Sequence, residues 1–120
     1  MDQIAISSDV MRGYIDLMIL RVLLDGDSYG YAISKQITEI SEGCYMIKET
    51  TLYSAFSRLE KGGHLHAYPG SYSGGRERTY YGLTDSGRDY FRQKCVEWEL
   101  TKGLITKFIP KKGEREDGRN

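Results

Sequence analysis

Cysteine is scarce. The 120-residue chain holds only Cys44 and Cys95, far apart and without Cys-x-x-Cys or Cys/His spacing. That argues against a disulfide framework and for two free thiols in a reducing compartment. Only His64 and His66 could join them, barely enough for the about four ligands of a structural zinc site, so neither a metal nor a cofactor is expected. Long apolar runs are absent as well. The longest, Ile15 to Leu24, is broken by Asp16 and Arg21, and crossing a bilayer takes about 20 apolar residues. No basic stretch followed by an apolar one opens the chain, so no secretory signal or membrane contact is expected, and the expected location is the cytoplasm. Nucleophile elbow, phosphate loop and paired carboxylates beside a base are all missing, so an enzyme is not expected. Finally, there is no charge of one sign: 17 Lys+Arg face 17 Asp+Glu. A simple polyanion binder would have a pI above about 9, and the sequence pI is 6.7.

What is present is a 39% hydrophobic composition, suited to one globular domain. Tyr14, Leu17, Met18 and Val22 recur at helical spacing, with Ile15, Leu20, Leu23 and Leu24 on flanking rows. This predicts a first helix capped by Ser7 or Ser8, buried on more than one side, and stopped at Asp25-Gly26-Asp27. Ser28 is expected to cap a second helix with Tyr31, Ile33, Ile37 and Ile40 inward, ending at Glu42-Gly43. A short extended piece is expected at Cys44 to Ile47. A third helix is predicted from Glu49 to Lys61, with Leu52, Phe56 and Leu59 on one stripe and Gly62-Gly63 as its C-cap. His64 to Tyr68 alternates as a strand. Gly70 to Gly75 is a turn-rich tip, and Arg78 to Leu83 is the returning strand. A last helix is expected from Thr84 to Ile109, closed by Pro110. At that length it would span about 39 Å, with Gly103 a candidate kink. Residues 110–120 read as a charged, frayed tail.

Three short helices, a hairpin and a long helix are the order of a winged helix-turn-helix. The expected fold class is therefore mainly α with a small β-hairpin, plus a long C-terminal dimerisation helix. The expected division is 1–83 as the DNA-binding domain, 84–109 as the dimerisation helix and 110–120 as the tail.

Three motifs then carry a family resemblance. Leu20 to Tyr31, with its Tyr29-Gly30 step into the second helix, resembles the PadR family. Thr51-Leu52-Tyr53 followed by Arg58-Leu59-Glu60-Lys61-Gly62-Gly63 is similar to the recognition helix of that family. Arg76-Glu77-Arg78-Thr79-Tyr80-Tyr81-Gly82-Leu83-Thr84 resembles its wing and exit. The resemblance covers about residues 12–109 and fits the shorter subgroup with a single C-terminal helix. It departs at Ser54, where many members have proline, and at Glu77, which dilutes the charge of the wing. The resemblance implies a sequence-specific DNA-binding transcriptional regulator, a repressor acting as a homodimer on a pseudo-palindromic duplex. The alternative is a winged-helix protein-interaction module that does not use DNA, supported by Glu49, Glu60 and Glu77 near the expected DNA face.

Candidate residues follow from chemistry. With Leu52, Phe56 and Leu59 inward, Thr50, Thr51, Ser54, Ser57, Arg58 and Lys61 point outward. Hydroxyls bond phosphates or base edges, and arginine reads guanine with two bonds. Tyr53 reads either as half-packed in the core or, as the resemblance implies, with its hydroxyl on a phosphate. The same choice stays open for Tyr29, while Gly30 and the free N–H groups beside it suit close backbone approach. Lys48 precedes the recognition helix. Ser73, Arg76 and Arg78 suit an arm along the backbone or in the minor groove. His64 and His66 read as solvated strand residues.

The long helix would carry more apolar surface than one such domain can cover. Phe91, Cys95, Trp98, Ile105 and Phe108, with Tyr14 and Met18 of the first helix, therefore read as a dimer seam. The same residues could line a pocket for a small apolar or aromatic effector. The charge is also unevenly placed. Residues 1–47 carry three basic against seven acidic side chains, a net of −4, and residues 48–82 carry five against three, a net of +2. A dipolar layout of this kind orients a protein on DNA while limiting non-specific adhesion.

Overall fold

The computed structural model describes residues 6–70 and 77–113. The first element among the described residues is α1 (Ser8–Met11), whose first turn is capped by Ser7: its hydroxyl accepts from the Val10 N–H at 3.2 Å. A 3-10 turn (Arg12–Tyr14) leads into α2 (Ile15–Leu23). The expected single first helix is thus broken where Gly13, the weakest helix former of the stretch, lies. Ile15, Ile19, Leu20, Val22 and Leu23 of α2 are buried, so this short helix is the centre of the core.

Ser28 does not cap the second helix. With Tyr29 it forms β1 (Ser28–Tyr29), which pairs antiparallel with Tyr81 and Tyr80. Helix α3 (Gly30–Ile40) follows, with Tyr29 at its N-cap in extended conformation and without a side-chain cap bond. Only Ile33 and Ile37 of its apolar residues point fully inward. Tyr31 and Ile40 are 71% and 57% exposed, so the expected inward stripe is narrower than its spacing suggested. Cys44 to Ile47 is irregular rather than extended; Ser41 organises it, its hydroxyl accepting from the Tyr45 N–H at 3.0 Å.

The third predicted helix has the expected bounds, α4 (Glu49–Lys61), with Leu52, Ala55, Phe56 and Leu59 buried. Gly63 at φ +81 completes its exit, a left-handed position that glycine adopts without steric cost. Strands β2 (Leu65–Gly70) and β3 (Arg78–Leu83) pair from Leu65↔Leu83 to Gly70↔Arg78. The sheet has three strands in the order β1-β3-β2 rather than the two of a hairpin. The third was hidden because two residues carry no alternation to read.

Helix α5 (Asp85–Thr106) starts at Thr84, whose hydroxyl accepts from the Gly87 N–H at 2.9 Å. It ends three residues before the expected Ile109 and runs unbroken through Gly103. Its 22 residues span about 33 Å, shorter than the expected length. Gly87 is its one fully buried residue: a Cβ there would stand 2.1 Å from the His64 carbonyl oxygen, so glycine lets α5 rest on the start of β2. Beyond that contact α5 packs on α2, and its later apolar residues Val96, Leu100, Leu104 and Ile105 are exposed. The Cα radius of gyration is 17.8 Å, against about 14 Å for a compact chain of this length. The architecture is a winged helix-turn-helix with one protruding helix.

Candidate nucleic-acid interface

Burial of Leu52, Ala55, Phe56 and Leu59 fixes the rotation of α4, and Phe56 anchors it by stacking on Tyr81 of β3 at 4.0 Å. The opposite face then presents Thr50, Tyr53, Ser54, Ser57, Arg58 and Lys61 to solvent, with Thr51 half-buried at its margin. Lys48 is the N-cap residue, and its side chain makes no cap bond to the first-turn N–H groups at the positive end of the helix.

Thr50, Thr51, Ser54 and Arg58 line a recess of about 300 Å³, together with Arg12 and Ile15. Two guanidinium groups and three hydroxyls thus border one concavity. Arg58 is fixed there by Asp16 of α2: its guanidinium donates to Asp16 Oδ1. The second oxygen of that carboxylate accepts from the Tyr90 hydroxyl of α5 at 3.3 Å. Arg58 is legible from the face it shares on α4, whereas Asp16 and Tyr90 are not, because they lie 42 and 74 positions from their partners. One signal was available, an acidic residue interrupting the most apolar stretch of the chain.

Tyr53 meets Phe56 edge-on at 5.4 Å. Its hydroxyl end lies over Gly30, 2.2 Å from where a Cβ would stand. Space for this phenol is the physical reason for glycine at the start of α3. The structure thus brings Tyr53, Gly30 and the start of α3 together beside the outward face of α4.

The wing carries an aromatic row on its outer side. Tyr29 packs on Tyr80 at 5.5 Å, Tyr80 on Tyr68 at 5.9 Å and Tyr68 on His66 at 5.5 Å. Arg78 lies over the Tyr29 ring at 4.1 Å. Tyr68 donates to Asp27 Oδ2 at 2.6 Å, and this bond to a carboxylate pushes the phenol above its ordinary pKa. Ser73 and Arg76 lie outside the described residues. His64 is not a solvated strand residue. Its ring stacks on Tyr90 at 4.1 Å, and Nδ1 is 2.9 Å from the Ser86 hydroxyl.

On the far side, Tyr14 meets Trp98 edge-on at 5.3 Å, joining α5 to the turn before α2. Met18 and Phe91 pack against the core of their own chain, and Cys95 is half-buried. Burial of Lys94 opposes its charge, but a hydrogen bond to Glu97 and the proximity of Tyr90 outweigh that and raise its pKa. Ile105 and Phe108 stay exposed, as do Val96, Leu100 and Leu104. Among the described residues no helix is long and apolar enough to cross a membrane.

The chain matches the transcriptional regulator PadR-like family over residues 19–93. It is 41% identical over 104 residues to an uncharacterized protein of Lysinibacillus sphaericus, covering 87% of this chain and 95% of that protein. Among solved structures it is similar to a transcriptional regulator from Clostridium thermocellum, with 56% identity, a TM-score of 0.81 and coverage of 88% and 100% of the two chains. It is also similar to a PadR family transcription regulator from Clostridium difficile, with 36% identity, a TM-score of 0.68 and coverage of 81% and 99%. The aromatic-anchored α4, all three strands and the first part of α5 lie within the family match, and the chain belongs to the PadR-like family of DNA-binding transcriptional regulators.

Proposed function

We propose that this regulator is a sequence-specific repressor that works in the cytoplasm as a homodimer on a pseudo-palindromic DNA duplex. The observation that carries the reading is the outward face of α4, where Thr50, Ser54, Ser57 and Arg58 are exposed in one row beside an N-terminus without a side-chain cap. Short hydroxyl side chains let the helix approach base edges, and the first-turn N–H groups suit a phosphate. Lys48, Thr51, Tyr53, Tyr29, Gly30 and the wing residues Ser73, Arg76 and Arg78 are assigned to the backbone on either side. Residues 1–83 act as the DNA-binding domain, 84–109 as the dimerisation helix and 110–120 as a charged tail.

The homodimer is supported by the apolar surface that α5 leaves uncovered. Val96, Leu100, Leu104 and Phe108 are each more than half exposed, a density of apolar side chains that marks an interface. A second copy of the same helix completes it, and a two-fold axis there sets two recognition helices about 34 Å apart, one turn of DNA. Tyr14, Met18, Phe91, Cys95, Trp98, Ile105 and Phe108 form or border that seam, and a small flat apolar effector entering beside Trp98 would release the DNA. Such release requires the effector to bind the two helix spacings with different affinity. The test is a titration of the purified chain into labelled promoter duplex at several salt concentrations. Saturable binding that weakens with salt is expected. A titration without saturation even at low salt contradicts the reading.

A further inference from the structure

Asp16 is the one acidic residue inside the apolar helix at the centre of the core, and its side chain is 13% exposed. Both of its oxygens are used, and by different elements. One accepts from Arg58 of the recognition helix, the other from Tyr90 of α5. Tyr90 itself contacts the His64 ring at 4.1 Å and the Lys94 ammonium at 5.3 Å. The Arg58 side chain remains 55% exposed and borders the recess with Thr50, Thr51 and Ser54.

We infer that Asp16 is a positioning residue for DNA recognition, presetting Arg58 toward the duplex and tying that pose to α5 through Tyr90. The inference rests on the DNA-binding reading of α4. A guanidinium has five N–H donors in a rigid fork, so a bond to one carboxylate oxygen leaves donors for a base edge or phosphate. A long side chain already ordered in the free protein loses less freedom on binding than a loose one. The carboxylate also sits where a shift of α5 reaches it directly. A change in the α5 seam therefore alters the pose of Arg58 without any motion passing through the packed stripe of α4.

The test is a double-mutant cycle on duplex selected from random DNA by the wild-type chain. Asp16→Asn keeps the shape and removes the charge that holds Arg58. It is expected to weaken binding about three- to tenfold in the wild-type background and to have no effect in an Arg58→Ala background. Tyr90→Phe is expected to weaken binding in the same direction and less than additively with Asp16→Asn. Thermal unfolding of each variant separates loss of fold from loss of pose, and Asp16→Glu serves as second variant if Asp16→Asn does not fold. Equal losses from Asp16→Asn with and without Arg58 would overturn the inference, because Asp16 would then act through the fold alone. So would unchanged binding by Tyr90→Phe, which would remove the link to α5. Failure of the wild-type chain to select any sequence would instead overturn the DNA reading beneath it.

Discussion

The Tyr53 hydroxyl lies 2.2 Å from the point a Cβ on Gly30 would occupy. The recognition helix and the start of α3 are therefore fitted to each other through one phenol and one missing methyl group. Gly30→Ala is expected to push the ring toward solvent, where it is already 46% exposed. Stability should change by less than about 1 kcal/mol, since alanine also restrains the unfolded chain. Operator affinity should fall, and Tyr53→Phe should weaken it about tenfold, the value of one hydrogen bond to a charged phosphate. Parallel urea unfolding and DNA titration of both variants check this. Unchanged affinity in both would remove Tyr53 from the interface.

Phe56 is 1% exposed and stacks on Tyr81, so it joins α4 to the sheet. Phe56→Ala should cost about 3–5 kcal/mol, a large part of the about 5–15 kcal/mol that holds a domain of this kind. Urea unfolding followed by tyrosine and tryptophan fluorescence measures the loss.

The apolar face of α5 gives a prediction of assembly. Leu100→Glu with Leu104→Glu places two charges on residues that are 70% and 55% exposed in the single chain. If the face were open to water, nothing would change. If it is covered by a second copy, burial of unpaired charge separates the subunits. Sedimentation velocity should show a dimer for wild type and a monomer for the double variant. A monomeric wild type would contradict the proposed assembly.

Alkaline pH should unfold the protein through its tyrosines. Burial raises Tyr81 and Tyr45 above their ordinary value of 10.0. A group whose folded pKa is raised binds its proton more tightly in the folded state. Its contribution is therefore complete below the unfolded pKa and is lost as pH rises through the folded one. The melting temperature should be insensitive to these groups near neutrality and fall above about pH 10. Ultraviolet absorbance of tyrosinate, followed beside thermal melts, should show late-titrating tyrosines that ionise with unfolding.

Much of this fold was legible in the residues. The stripe Leu52, Phe56 and Leu59 and the pair Gly62-Gly63 located α4 to the residue, and Arg78 to Leu83 located β3. What escaped was set by tertiary pairing. Ser28 and Tyr29 look like a helix start and become a strand because Tyr80 and Tyr81 offer them a ladder. Tyr31 and Ile40 sit at helical spacing but face solvent, because α3 meets neighbours along too narrow a strip to cover them. In the candidate site, the hydroxyls and Arg58 could be read from the face they share. The pairing of Asp16 with Arg58 could not, because Asp16 and its two partners lie on three elements that no local periodicity connects.

Selection from random DNA tests whether the outward face of α4 reads base sequence. Random duplex DNA is passed repeatedly over the purified wild-type chain, and the retained molecules are sequenced in parallel with those retained by Arg58→Ala. The expected result is a two-fold-related motif with half-sites about one helical turn apart, and a relaxed preference at one position of each half-site for the variant. Retention of no motif by the wild type, or of an identical motif by both proteins, would contradict it.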